Sequence, residues 1–81
     1  MNPKRFREIR QQLGLTQEEM AQLLGVADKT VINRYEAGSR APSKLVEAIL
    51  EMISEMSEKE AQIFMERLLS YISHGTRKKF D

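Results

Sequence analysis

Apolar positions along the chain fall into five blocks, each with helical spacing. In the first, Phe6, Ile9 and Leu13 share one stripe, and Lys4, Arg5, Arg7 and Glu8 fall outside it. Recurrence at three and four residues marks an amphipathic helix. Asn2 can cap it, Pro3 suits its first turn and Gly14 ends it, so the pattern predicts a helix over Pro3–Leu13. The second block holds Met20, Leu23 and Leu24 and opens on Thr16 and Glu19. T-x-x-E is a capping box, in which each side chain satisfies a free backbone N–H at the helix start. The predicted helix is Gln17–Leu24, followed by a turn at Gly25-Val26-Ala27. A third helix runs from about Asp28 to Ala37 and stops at Gly38, with Val31 or Ile32 and Tyr35 facing inward.

After the turn-forming Ser39-Arg40-Ala41-Pro42, a fourth helix is predicted over Ser43–Glu55. Leu45, Val46, Ile49, Leu50, Met52, Ile53 and Met56 give it a wide apolar surface, and Glu47, Glu51 and Glu55 form an acidic row at i, i+4 spacing. Ser57 and Glu60 make a second capping box. The fifth helix begins there and is expected to end near Ser73, at His74-Gly75. Ala61, Met65, Leu68 and Ile72 form its seam, widened by Phe64, Leu69 and Tyr71. The fold class is therefore all-α with five helices. Residues 1–75 are expected to form one domain and residues 76–81 a basic flexible tail.

The second and third helices, joined over three residues, make a helix-turn-helix, which can hold its second helix in a DNA major groove. Ala21 is small where the two helices must pass closely.

The segment Ile9–Ser43 resembles the Cro/CI-type, or XRE, family of helix-turn-helix regulators. The carrying residues are Arg10, Gly14-Leu15-Thr16-Gln17, Ala21, Gly25-Val26, Arg34-Tyr35-Glu36, Gly38 and Pro42. The resemblance implies a five-helix lambda-repressor-like domain and a pairing of Arg10 with Glu36. One departure matters: the family pattern commonly brings the equivalents of Gly25 and Gly38 one residue closer together. Counting forward from Gly25 puts Val31 at the buried position of the third helix, and counting back from Gly38 puts Ile32 there. The two registers differ by about a hundred degrees of helix.

Candidate DNA contacts follow from this frame. Gln17 begins the second helix, where a backbone N–H and the helix dipole favour a phosphate, and its side chain can donate too; the resemblance implies the same role. On the third helix Lys29, Thr30, Asn33 and Arg34 are the polar residues away from the core. Asn reads adenine bidentately, Arg and Lys read guanine, and the Thr methyl can touch a thymine methyl. Asp28 suits a helix cap better than a base contact, although it could accept from cytosine. Ser39 and Arg40 are placed to grip backbone phosphate, with Arg5 or Arg7 as further contacts.

Charge changes the picture little. The chain of 81 residues has a formal net charge of +1. Met1–Pro42 carries seven basic residues against five acidic ones, and Ser43–Asp81 six against seven. The weakly basic half is the one with the helix-turn-helix, as a DNA face requires. Arg77-Lys78-Lys79 is best read as a solvated end.

The expected partners are double-stranded DNA and a second copy of the chain, with Phe64, Leu68, Tyr71 and Ile72 as dimer contacts, by analogy with the family's last helices. The leading reading is a sequence-specific repressor acting as a homodimer on a pseudo-palindromic operator. The alternative is an antitoxin that binds a toxin protein through its last two helices or tail and autoregulates its operon. An enzyme is disfavoured: Cys is absent, His74 is the only histidine, and there is no metal-ligand spacing, phosphate loop or Ser–His–Asp arrangement. No cofactor or metal is expected, and the five Met residues suit apolar packing. No apolar run approaches the roughly 20 residues that cross a bilayer, and a cytoplasmic location is expected.

Overall fold

The computed structural model describes the backbone of residues 1–78 and the side chains of residues 1–72. Its elements are α1 (Pro3–Gln12), α2 (Gln17–Leu24), α3 (Lys29–Ala37), α4 (Lys44–Ser54) and α5 (Glu58–Lys78). The chain is all-α, as the periodicity predicts. Helix starts are set by side-chain caps. Asn2 accepts from Arg5 N at 2.7 Å and Ser43 from Val46 N at 3.2 Å. Both capping boxes form: Glu19 N donates to Thr16 Oγ1 at 3.0 Å and Thr16 N to Glu19 Oε1 at 2.9 Å. The Ser57–Glu60 pair repeats this arrangement at 3.1 and 3.0 Å.

The core sits where α1, α2, α3 and α4 meet. Phe6, Ile9, Met20, Leu23, Ile32, Leu50 and Ile53 are the largest fully buried side chains. Burying a side chain of this size contributes about 1.5–3 kcal/mol. Phe6 and Tyr35 stack at a 58° tilt with ring centroids 5.3 Å apart, tying α1 to α3. Arg5 bridges α1 to α4, donating to Glu51 Oε1 at 2.9 Å and to Ser54 Oγ at 3.3 Å. α5 closes the body by laying Ala61, Met65, Leu68 and Leu69 against it.

One open alternative is decided and one expectation changes. The register of α3 is settled in favour of Ile32, which is fully buried, while Val31 is only partly so. And α5 does not stop at His74-Gly75; it continues to Lys78. A single glycine inside a helix costs about 1 kcal/mol and need not end it. The expected tail over 76–81 therefore begins inside α5, and residues 79–81 lie outside the described residues, as do the side chains of Arg77 and Lys78.

Candidate nucleic-acid interface

The turn between α2 and α3 is built on Gly25, whose φ of +68° ends α2 in the left-handed region. An L side chain there is strained, which explains glycine. Asp28 then caps α3 by accepting from Thr30 N at 2.8 Å. That is the capping role, and it fixes the carboxylate at the start of the helix. With Ile32 pointing inward, Thr30, Arg34 and Ala37 fall about 140–160° away around the helix and Asn33 about 100° away. All four are exposed, and so is Lys29 on the first turn. The outer face of α3 therefore offers a hydroxyl, an amide and a guanidinium side by side, the donor set that major-groove edges need.

The loop leaving α3 is folded back on its own helix. Gly38 takes φ +84°, and the backbone N–H groups of Gly38, Ser39 and Arg40 all converge on the carbonyl of Arg34, those of Ser39 and Arg40 at 3.1 and 3.3 Å. Pro42 is buried and anchors the far end of the loop. Ser39 and Arg40 are both exposed, beside the C-terminus of α3. Lys44, the first residue of α4, is a further exposed cation after the loop. Sequence reasoning does not single Lys44 out; the signal is its place directly after the Ser43 cap.

Behind this surface lies one buried carboxylate. The Glu36 side chain is 1% exposed. It accepts from Arg10 Nε at 2.5 Å and Arg10 Nη2 at 3.2 Å, from Gln17 Nε2 at 3.2 Å and from Arg7 Nε at 3.4 Å. Burial alone would push the carboxyl up, but donation from Arg10, Gln17 and Arg7 outweighs it and holds Glu36 below its ordinary value. Arg10 also donates Nη1 to the carbonyl of Leu15 at 2.9 Å, so it clasps the α1–α2 loop as well. The Arg10–Glu36 pair implied by the resemblance is present. Its extension to Gln17 and Arg7 is not foreseen, and the readable signal is that Arg7 stands one turn before Arg10. The Gln17 amide is thus held by Glu36, while Arg5 is engaged by Glu51.

Residues 6–46 match the helix-turn-helix family model. The chain belongs to this XRE-type helix-turn-helix family. It is a DNA-binding transcription regulator, and the matched stretch runs from Phe6 in α1 to Val46 in α4, with Gln17, Asp28, Lys29, Thr30, Asn33, Arg34, Ser39 and Arg40 inside it and Arg5 just outside. No curated protein and no solved structure gives a significant match. Among the described residues, no helix of the regulator is long and apolar enough to cross a membrane.

The residues expected at a dimer contact are divided by the structure. Ile72 faces the α2–α3 turn, its Cγ2 being 3.8 Å from where a Cβ on Gly25 would stand. Leu68 packs on the core. Phe64 and Tyr71 lie with Arg67 and Leu68 along an outer cleft of about 370 Å³, and Tyr71 is 65% exposed.

Proposed function

We propose that the protein is a sequence-specific repressor that acts as a homodimer on a pseudo-palindromic operator. The observation that carries this reading is the exposed outer face of α3, where Thr30, Asn33 and Arg34 stand free of the core. In this reading Thr30, Asn33, Arg34 and Lys29 meet base edges. The N-terminus of α2 at Gln17 and the loop at Ser39 and Arg40 hold phosphates, which position the protein without reading sequence. Asp28 serves the start of α3 as a cap. Occlusion of a promoter is the simplest mechanism for a dimer that covers its operator.

Dimerisation would place two α3 helices about one helical turn, or ~34 Å, apart on the duplex. Phe64 and Tyr71 are the outward-facing apolar residues of the expected contact, with Leu68 and Ile72 beneath them. Tyr71→Glu is expected to halve the mass measured by light scattering and to weaken operator binding without unfolding the protein. A wild-type protein that stays monomeric at micromolar concentration, or a Tyr71→Glu variant that stays dimeric, would defeat this part of the proposal.

The central test is selection of bound duplexes from random DNA, followed by gel shifts over a salt series. A pseudo-palindromic consensus bound well above random duplex is the expected result. Binding that is equal for all sequences would sink the reading.

A second reading, an antitoxin that binds a toxin protein and autoregulates its own operon, draws support from the apolar side chains left uncovered on α4 and α5. Leu45, Met52, Ile63 and Tyr71 are 70%, 47%, 50% and 65% exposed. A small partner encoded beside the gene and co-purifying in fixed ratio is the observation that tests it.

A further inference from the structure

Along one edge of α5 run three cavities, each sharing lining residues with the next. The first lies between the ends of α1 and α4, the second between α5 and the α1–α2 loop, and the third beside the Gly25-Val26 turn, with volumes of about 270, 350 and 400 Å³. Gln62 and Met65 line the first and second; Gln22 and Leu69 line the second and third. The α5 positions concerned, from Glu58 to Ile72, recur at helical spacing, so they form one continuous edge about 21 Å long.

The buried and half-buried part of this groove's lining is apolar, with Leu13, Leu23, Met65 and Leu69, and its exposed part carries the amides of Gln12, Gln22 and Gln62 and the carboxylates of Glu19, Glu58 and Glu66. Among the described residues no Lys or Arg lines any of the three cavities, although the chain carries 13 of them. The acidic part of the groove is also turned away from the Gln17 side of α2. Glu19 and Gln22 stand about 160° and 140° around α2 from Gln17, whose amide points to Glu36 on α3.

We propose that this groove docks a partner protein through a cationic amphipathic helix, its apolar stripe on the α5 edge and its Lys or Arg residues against Glu19, Glu58 and Glu66. An apolar lining rewards a stripe at i, i+3, i+4 spacing, and exposed charge of one sign selects the opposite sign and rejects its own. The length of the edge suits about four helical turns. Because the acidic part of the groove and Gln17 lie on different sides of α2, partner and DNA bind together, and the far end of the occupant reaches the Gly25-Val26 turn. For the identity of the partner this rests on the antitoxin reading; the groove itself is tested without it.

The probe is a fluorescein-labelled amphipathic peptide of about fourteen residues, leucine and lysine at helical spacing, with a counterpart carrying glutamate for lysine. Amide shifts are recorded on the full-length isotopically labelled protein. The lysine peptide is expected to move the amides of Gln12–Leu15, Gln22, Gln62 and Glu66, and the glutamate peptide to leave them still. The double variant Glu58→Lys/Glu66→Lys is expected to bind the lysine peptide about tenfold more weakly, while DNA binding is unchanged. Shifts confined to the Leu45–Met52 or Phe64–Tyr71 surfaces, equal binding of the two peptides, or no binding would overturn the proposal. So would groove amides that a soluble paramagnetic probe cannot reach in the peptide-free protein, since a second copy would then be the occupant. None of these outcomes bears on whether a toxin co-purifies, so a failed groove and a failed antitoxin reading remain distinguishable.

Discussion

Arg10 grips Glu36 with two nitrogens, Nε on Oε2 at 2.5 Å and Nη2 on Oε1 at 3.2 Å, across 26 residues of chain. The pair joins α1 to the last turn of α3 in a place where the Glu36 side chain is 1% and the Arg10 side chain 15% exposed. A buried pair of this kind is weak evidence of net stabilisation, because desolvation opposes the attraction. Removing one partner is another matter, since it strands the other.

Glu36→Gln and Arg10→Met are each expected to cost about 3–5 kcal/mol. The double replacement Arg10→Met/Glu36→Met is expected to cost less than the sum of the single ones, because no charge is then left buried. Urea unfolding of the four proteins measures this coupling. Additive losses would mean that the two side chains act independently.

The same carboxylate sets an acid limit. Glu36 is held below its ordinary 4.5 by its donors, so its contribution is fully present above about pH 4.5 and is lost as pH falls through the lower folded value. The wild-type protein should therefore lose stability steeply below about pH 4.5, and Glu36→Gln should be the flatter of the two there. Thermal melts between pH 3 and pH 7 check the sign. Parallel curves would place the acid sensitivity elsewhere.

The register of α3 makes opposite demands on neighbouring residues. Ile32→Ala is expected to cost about 2–5 kcal/mol, and Val31→Ala clearly less, because only Ile32 is fully buried. Arg34→Ala and Asn33→Ala should leave stability within about 0.5 kcal/mol and weaken specific DNA binding by about 1–3 kcal/mol each. Arg40→Ala should weaken binding to all sequences alike and reduce the salt slope by about one. Chemical denaturation beside quantitative gel shifts separates the two classes.

Glycines at the three helix ends should rank by what a methyl group meets. All three have positive φ, at 73° for Gly14, 68° for Gly25 and 84° for Gly38, so each alanine replacement costs about 1–2 kcal/mol of backbone strain. A Cβ on Gly14 meets nothing within 4 Å, one on Gly25 meets Ile72 Cγ2 at 3.8 Å, and one on Gly38 meets Pro3 Cγ at 3.2 Å. Gly38→Ala is therefore expected to lose the most stability, with Gly14→Ala and Gly25→Ala alike. Calorimetric melting temperatures give the order directly.

How much was legible in the sequence depended on whether the deciding interaction was local. The bounds of α2 were readable to the residue, because Thr16, Glu19 and Gly25 act within one turn of the helix end. The register of α3 was not, because Val31 and Ile32 are both apolar and periodicity cannot choose between adjacent apolar residues. Only the packing of the finished core chooses. The end of α5 was misplaced for a related reason: Gly75 has the chemistry of a stop, yet a stop also needs the chain to turn. Arg10–Glu36 was accessible through the family resemblance, whereas the convergence of Gln17 and Arg7 on the same carboxylate depends on three helices meeting. The polar residues of α3 are readable from the sequence, but their order around the helix waits on Ile32.

The burial of Ile32 directly beneath Thr30, Arg34 and Ala37 separates two tasks along nine residues of helix. What holds the helix in place and what it displays do not share side chains. The displayed set can change its chemistry without disturbing its seat, so under the proposed function operator preference is exchangeable. Grafting another outer face onto α3 should retarget the regulator while the melting temperature stays where it was.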